Sequence, residues 1–237
     1  MNSELWTVNS ELKTVNYLRP MNKTEIIDQT IAYVKTQLSN AEGGHDWWHI
    51  HRVWKTAQHI AAAEKADELV VALGALLHDI ADSKFHNGDE TIGPRVAREW
   101  LQSLQVEEAV IEHVENIITH ISFKGGNHHQ PFRSKELDIV QDADRLDAIG
   151  AIGIARAFSY GGFKNRLLYD PAIPVNLNMT KEEYKSNSAP TINHFYEKLL
   201  LLKDRMNTDT GRSMAQQRHA FMESYLQQFY GEWDGEL

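Results

Sequence analysis

Histidine and aspartate side chains in the first two thirds of the chain have the types and the spacing of metal ligands. Ten of the 12 histidines fall in the stretch from His45 to His129, and the pair His78-Asp79 follows the apolar run LGALL. Burying ionisable side chains at the end of an apolar helix is costly unless they have a partner. The pair therefore points to a bound cation or to an ion pair. Because the chain has no cysteine, a metal here would be held by imidazole nitrogen and carboxylate oxygen, a donor set that suits several divalent metals.

Two other segments carry residues that could complete such a site. In HIHRV, His49 shares a helical face with Val53, so we expect His49 to point inward. In DADRLD, the side chains of Asp142 and Asp144 diverge by about 200° on a helix, and Asp147 lies only about 60° from Asp144. A regular helix therefore presents only one of the first two aspartates to a given ion. Periodicity does not choose between them, and Asp147 could support the site from behind.

The composition describes an acidic chain that is long enough to bury a large core. The 237 residues carry a formal net charge of −9. A chain without a basic excess cannot release many counterions from a nucleic-acid backbone, which argues against a polymeric nucleic-acid partner. No stretch reaches the length of about 18 apolar residues that a membrane span needs, and the N-terminus has no apolar run. We therefore expect no membrane contact and a cytoplasmic location.

Apolar residues recur at helical spacing through most of the chain. The predicted helices span 24–39, 46–65, 67–81, 91–104, 107–121, 135–158, 190–206 and 212–230. Asp46 is placed to cap the second of these, and the third is apolar on all sides and should be buried. Alternating patterns typical of strands are scarce. The sequence thus predicts an all-α fold, a single-domain helical bundle over 21–237. Residues 1–20, where SELWTVN is followed by SELKTVN, are expected to lie outside it, and 122–134 and 159–189 are expected to be loops.

At the residues singled out above, the sequence resembles the HD-domain metal-dependent phosphohydrolase superfamily. The family signature is a His, a His-Asp pair and an Asp on separate helices around a divalent metal. The resemblance implies that one ion is held by His49, His78, Asp79 and Asp144. His49 fits because a valine follows four residues later, and Asp144 fits because it lies in Ala-Asp-Arg-Leu. The segments GHDWWHIHRVW, LLHDIADSKF and VQDADRLDAIGAIGIAR are similar to a compact bacterial branch that includes nucleotide pyrophosphohydrolases.

The resemblance implies a phosphohydrolase in which a metal-activated water attacks phosphorus. The expected substrates are nucleotides, with pyrophosphate released from nucleoside or deoxynucleoside triphosphates. The alternatives are a phosphodiesterase or 5'-nucleotidase on the same site, and a non-catalytic sensor of metal or nucleotide. Manganese is the metal that the family favours, and the donor set also admits Mg, Fe, Co, Ni or Zn. A homo-oligomer is compatible with the sequence.

Four residues are candidates for catalysis and substrate binding. Asp82 lies three residues after Asp79, and if the helix continues it faces the same cavity. The family resemblance implies that a carboxylate there orients or deprotonates the attacking water, as a general base. Lys84 and Arg145 adjoin the motif residues and could bind phosphate. His120 lies beside the first predicted loop and could bind substrate. Further candidates for phosphate contacts are Arg52 and Arg166.

Overall fold

The regular structure within the described residues is entirely helical, as the sequence predicts. The computed structural model describes residues 19, 21–39, 46–81, 89, 91–121, 132–180 and 188–237, and no strand occurs among them. The helices are α1 (Lys23–Gln37), α2 (Trp47–Glu64), α3 (Glu68–Leu77), α4 (Ile92–Ser103), α5 (Glu108–His120), α6 (Lys135–Asp147), α7 (Gly150–Phe163), α8 (Thr191–Glu197), a 3₁₀ helix (Leu199–Arg205) and α9 (Asp209–Trp233). They pack around one hydrophobic core, which confirms the all-α, single-domain prediction.

Helix α3 lies at the centre of that core. Every residue from Leu69 to Leu77 is buried, because the segment offers apolar side chains on all faces, as predicted. Helices α1, α2, α5 and α6 pack against it. Gly74 lets α5 approach closely, since an added Cβ would lie 3.2 Å from the side chain of Ile117. The central position of α3 places its C-terminal end, and the His-Asp pair that follows, between α2 and α6.

Helix α2 begins where the sequence predicts. The side chain of Asp46 accepts a hydrogen bond from the backbone N–H of His49 at 3.0 Å, which satisfies one of the free donors at the helix start. The buried face of α2 consists of His49, Ile50, Val53, Trp54, Ala57, Ile60 and Ala61. The inward orientation predicted for His49 is confirmed, because only 2% of the residue is exposed.

The single helix predicted over 135–158 is wrong: the chain forms two helices with a turn between Asp147 and Gly150. Gly150 has a φ of +75°, and an added Cβ would lie 3.0 Å from side-chain carbons of Arg218. The Arg218 guanidinium also donates to the carbonyl of Leu146 at the end of α6. The apolar and small residues of this stretch suit either one helix or two, so periodicity could not detect the turn.

Two other predicted helices are shorter than expected. The segment 190–206 is broken at Lys198, whose φ of −143° and ψ of −56° separate α8 from the 3₁₀ helix. The segment 67–81 is helical only to Leu77, and 78–81 form turns. The orientation predicted for Asp82 requires a helix that continues past Asp79, and α3 ends at Leu77. Asp82 itself lies outside the described residues, and its role stays a prediction. In contrast, α7 extends to Phe163, beyond the predicted end.

The N-terminal boundary of the fold stays a prediction. Of the proposed extension 1–20, only Arg19 lies within the described residues, and its guanidinium pairs with Glu25 in the first turn of α1 at 2.5 Å. Among the helices that the structure describes, none has the length and apolar character needed to cross a bilayer.

Candidate metal centre

His49, His78 and Asp79 come together although they lie on different helices. His49 is in the first turn of α2, and the other two directly follow α3, which packs against α2. One potential ligand atom from each lies within 4.8 Å of those of the other two. Both imidazole side chains are 2% exposed and the Asp79 side chain is 19% exposed. The three residues therefore form a candidate metal site with buried nitrogen donors and a carboxylate facing partly outward.

Hydrogen bonds on the opposite ring nitrogens determine which way these imidazoles face. His78 Nδ1 lies 2.8 Å from the carbonyl of Ala75, and His49 Nδ1 lies 2.8 Å from Oδ2 of Asp147. Because a carbonyl and a carboxylate only accept, both Nδ1 atoms must be the donors. Each Nε2 can then offer a lone pair to the shared space, as is usual for metal-binding histidines.

The donor set and its spacing fit a divalent cation. Within the described part of the chain, His78 Nε2 is buried and has no hydrogen-bond partner, which is a costly arrangement unless another ligand is present. Oδ2 of Asp79 lies 3.6 Å from Nε2 of each histidine. Ligand atoms about 2.1 Å from one ion lie roughly 3.0–3.4 Å apart, so small movements would bring these atoms into coordination.

Asp144 on α6 lies beside this group. Its Oδ1 is 3.5 Å from Nε2 of His49 and 4.0 Å from Nε2 of His78, and its side chain is 41% exposed. Helix α6 packs against both α2 and α3. The three helices thus bring all four residues of the family signature to one place.

Asp142 lies away from this group and binds the backbone. Its side chain is fully buried and accepts hydrogen bonds from the N–H groups of Asn207 and Thr208 and from the Thr208 hydroxyl, each at 2.8 Å. Thr208 is the N-cap of α9. Asp142 therefore attaches the start of α9 to α6.

The electrostatics of the site favour a positive charge. Burial acts to lower the pKa of His49, but hydrogen bonds to Asp147 and Asp79 and the nearby charge of Asp144 outweigh it and raise the pKa to about 9. Burial acts to raise the pKa of Asp147, but hydrogen bonds from His49 and Arg52 and the charge of Arg156 hold it well below its usual range. Asp147 is therefore ionised, and the carboxylates around His49 attract a proton or a metal ion.

The structure describes two of the four candidates for catalysis and substrate binding. His120 ends α5, and its Nδ1 donates to the carbonyl of Asn116 at 2.8 Å. Its own carbonyl accepts from Gln141 at 2.9 Å, so the end of α5 lies one turn from Asp144 along α6. Arg145 donates to the carbonyl of Arg205 at 2.6 Å. Asp82 and Lys84 lie outside the described residues. All four roles stay predictions.

Sequence reasoning missed Arg156. This residue is in the second turn of α7, and its guanidinium binds the Asp147 carboxylate and lies 3.3 Å from Nδ1 of His49. Its position depends on the turn between α6 and α7, which helical periodicity did not reveal. Arg156 is the last residue of the family-like segment VQDADRLDAIGAIGIAR, but its type and spacing alone assign it no role.

Comparisons with known proteins agree with this geometry. Residues 47–149 match the HD domain family. The chain is 38% identical to YpgQ of Bacillus subtilis (strain 168) over 212 residues, which cover 88% of this chain and 94% of that protein. A crystal structure of an HD-superfamily hydrolase from Bacillus thuringiensis is 44% identical with a TM-score of 0.73, covering 90% of this chain and 99% of that one. A crystal structure of YpgQ in complex with ADP is 35% identical with a TM-score of 0.72, covering 90% and 97%.

The chain belongs to the HD domain family. It is an enzyme of the HD-superfamily hydrolase class, with the helical fold and the candidate metal site described above.

Proposed function

We propose that this protein hydrolyses nucleoside or deoxynucleoside triphosphates to the monophosphate and pyrophosphate, with one divalent metal ion. The observation that carries the proposal is the convergence of His49 and His78, both buried, with two carboxylates of which Asp144 is 41% exposed. This arrangement keeps the nitrogen donors inside and leaves the carboxylate side accessible to a phosphate ester. The ADP bound to YpgQ supports a nucleotide as the substrate.

We assign the metal to His49, His78, Asp79 and Asp144, and we expect manganese to serve best. A divalent ion bound there supplies Lewis acidity for the attack of water on phosphorus. Asp82 would orient the water and take its proton as a general base. Lys84, His120 and Arg145 would bind the phosphates. The lack of cysteine supports a cytoplasmic location for the enzyme.

The first experiment tests the metal site. Purified protein is loaded with Mn²⁺, desalted and analysed for metal, beside His78→Ala and His59→Ala. His59 is the matched control because it is an exposed histidine on α2. We expect His78→Ala to lose most of the bound metal and His59→Ala to keep it. Equal metal content in the wild type and His78→Ala would contradict the assignment.

The second experiment tests the reaction. Nucleoside triphosphates are incubated with protein and Mn²⁺, and the products are separated and identified by anion-exchange chromatography. We expect monophosphate and pyrophosphate, and Asp82→Ala should lose turnover while keeping its metal content and melting temperature. Phosphate release from monophosphates without any pyrophosphate from triphosphates would favour the 5'-nucleotidase reading. Metal binding without turnover on a broad panel of phosphate esters would favour the sensor.

A further inference from the structure

The carboxylate of Asp147 is surrounded by one imidazole and two guanidinium groups. Its Oδ2 lies 2.8 Å from Nδ1 of His49. Arg52 donates through Nε to Oδ1 at 2.6 Å and through Nη2 to Oδ2 at 3.0 Å, and Arg156 donates to Oδ2 and, at 3.3 Å, to the Asp147 carbonyl. The Asp147 side chain is only 4% exposed. This carboxylate is thus fully engaged without touching the shared space between the metal-ligand candidates.

We propose that Asp147, held by Arg52 and Arg156, is a positioning residue that orients His49 for metal binding. The inference rests on the proposed metal site and adds to it a group behind the imidazole. By accepting from Nδ1, Asp147 selects the tautomer in which Nε2 carries the lone pair. It also restricts rotation of the ring, so that Nε2 stays directed toward Asp79 and Asp144.

The two arginines explain how a buried carboxylate can do this. Taking a carboxylate out of water costs free energy unless other donors replace the lost water. Two guanidinium groups supply those donors here, and Arg52 binds the carboxylate through two of them in the strong fork geometry. Arg52 and Arg156 are 32% and 29% exposed, so their outer parts stay hydrated while the carboxylate is buried.

The turn between α6 and α7 is what brings Arg156 to Asp147. In one continuous helix, residues nine apart would be separated by about 13 Å along the axis. The turn at Gly150 redirects α7, and its second turn meets the end of α6. Because Arg52 comes from α2, the group joins three helices at the back of His49. The turn between α6 and α7 therefore contributes to the site, because it places Arg156 against Asp147.

Asp147→Asn tests the inference, with Asp142→Asn as the matched control. Both positions lie on α6, both side chains are at least 96% buried, and the substitution is the same. The Mn²⁺ dissociation constant is measured by calorimetry at 25 °C, and the melting temperature of the metal-free protein is measured separately. We expect Asp147→Asn to weaken Mn²⁺ binding about 10- to 100-fold, the usual effect of losing a carboxylate behind a metal-binding histidine. Asp142→Asn should lower the melting temperature and leave the dissociation constant within about twofold.

A second pair of variants covers the case in which Asp147→Asn does not fold. Arg156→Gln removes one charge at a partly exposed position and should weaken Mn²⁺ binding in the same direction, whereas Arg156→Lys should restore part of it. Unchanged Mn²⁺ affinity in Asp147→Asn, or in Arg156→Gln if the first variant is unfolded, would overturn the inference. If the wild type itself binds no divalent metal, the proposed function fails instead. If the wild type binds metal and the variants bind it equally well, the result contradicts the positioning role of Asp147 but not the proposed metal site.

Discussion

Asp142 and Asp144, two residues apart on α6, lie on opposite sides of that helix. The buried carboxylate of Asp142 accepts hydrogen bonds at the start of α9, whereas Oδ1 of Asp144 lies 3.5 Å from Nε2 of His49. Their spacing along the chain predicts this divergence. Only the packing of α9 against one side and α2 against the other shows which aspartate is near the candidate metal site.

This relationship predicts that alanine at Asp142 lowers the stability of the fold, whereas alanine at Asp144 weakens metal binding. Asp142→Ala removes the acceptor for two backbone N–H groups and a hydroxyl, and should lower the free energy of unfolding by about 2–4 kcal/mol. The Asp144 side chain is partly exposed, so Asp144→Ala should change the free energy of unfolding of the metal-free protein by less than about 0.5 kcal/mol. It should also weaken metal binding. Urea unfolding in EDTA and calorimetry with Mn²⁺ separate the two effects. The reverse pattern would mean that the roles are exchanged.

The turn before α7 predicts that alanine has opposite effects at two glycines. Gly150→Ala forces a Cβ onto a residue with a φ of +75°, only 3.0 Å from Arg218, and should cost about 1–2 kcal/mol of folding free energy. Gly162, near the end of α7, has nothing within 4 Å of an added Cβ. Gly162→Ala should stabilise the protein by up to about 0.5–1 kcal/mol because alanine favours the helix. Chemical denaturation of both variants tests this, and equal effects would show that the positive φ does not matter.

The partly buried imidazole of His194 predicts a loss of stability in mild acid. Burial, with the positive charges of Lys198 and Arg166, lowers the pKa of His194 to about 4. In the unfolded chain its pKa is about 6.5, so as the pH falls from 6.5 to 4 the unfolded state gains a proton that the folded state does not. The folded state should therefore lose up to about 3 kcal/mol across this window.

His194→Gln isolates this contribution, because glutamine is neutral throughout. Unfolding free energies of the EDTA-treated proteins, measured at several pH values from 7 to 4, should fall less steeply for the variant. His49 does not interfere: its pKa is raised to about 9, so its stabilising contribution is complete below pH 6.5 and is lost only as the pH rises through 9. Parallel curves for the wild type and the variant would contradict the prediction.

Metal removal should lower the melting temperature without unfolding the protein. The described helices share a hydrophobic core made of apolar side chains, so circular dichroism in EDTA should stay helical. Adding Mn²⁺ at about 100 times its dissociation constant should stabilise the folded state by about 2.7 kcal/mol. The shift should disappear in His78→Ala and remain in His59→Ala. Loss of helical signal in EDTA would mean that the metal is needed for folding.

The parts of the fold that the sequence predicts well are those with a strong local signal. The fully apolar LVVALGALL forms the buried helix α3, and the Asp46 cap begins α2 where expected. The predictions of single helices over 135–158 and 190–206 were wrong for the same reason. The backbone leaves the helical conformation at Gly150 and at Lys198, and the apolar pattern around these residues does not change. At the first break, Arg218 of α9 packs against Gly150 and donates to the carbonyl of Leu146, and a contact with so distant a residue leaves no local signal.

The sequence by itself determined the kind of chemistry. Because the chain has no cysteine, a metal at His49, the His-Asp pair and the aspartates of the third apolar segment can have only nitrogen and oxygen ligands from them. The helical spacing of apolar residues places these side chains on an all-helical fold. Residue type and helical spacing are enough for that, because both are local properties. The tertiary structure alone decided that Asp142 binds the start of α9 and that Arg156 returns to Asp147. These depend on how helices far apart in sequence pack, and no local pattern carries that information.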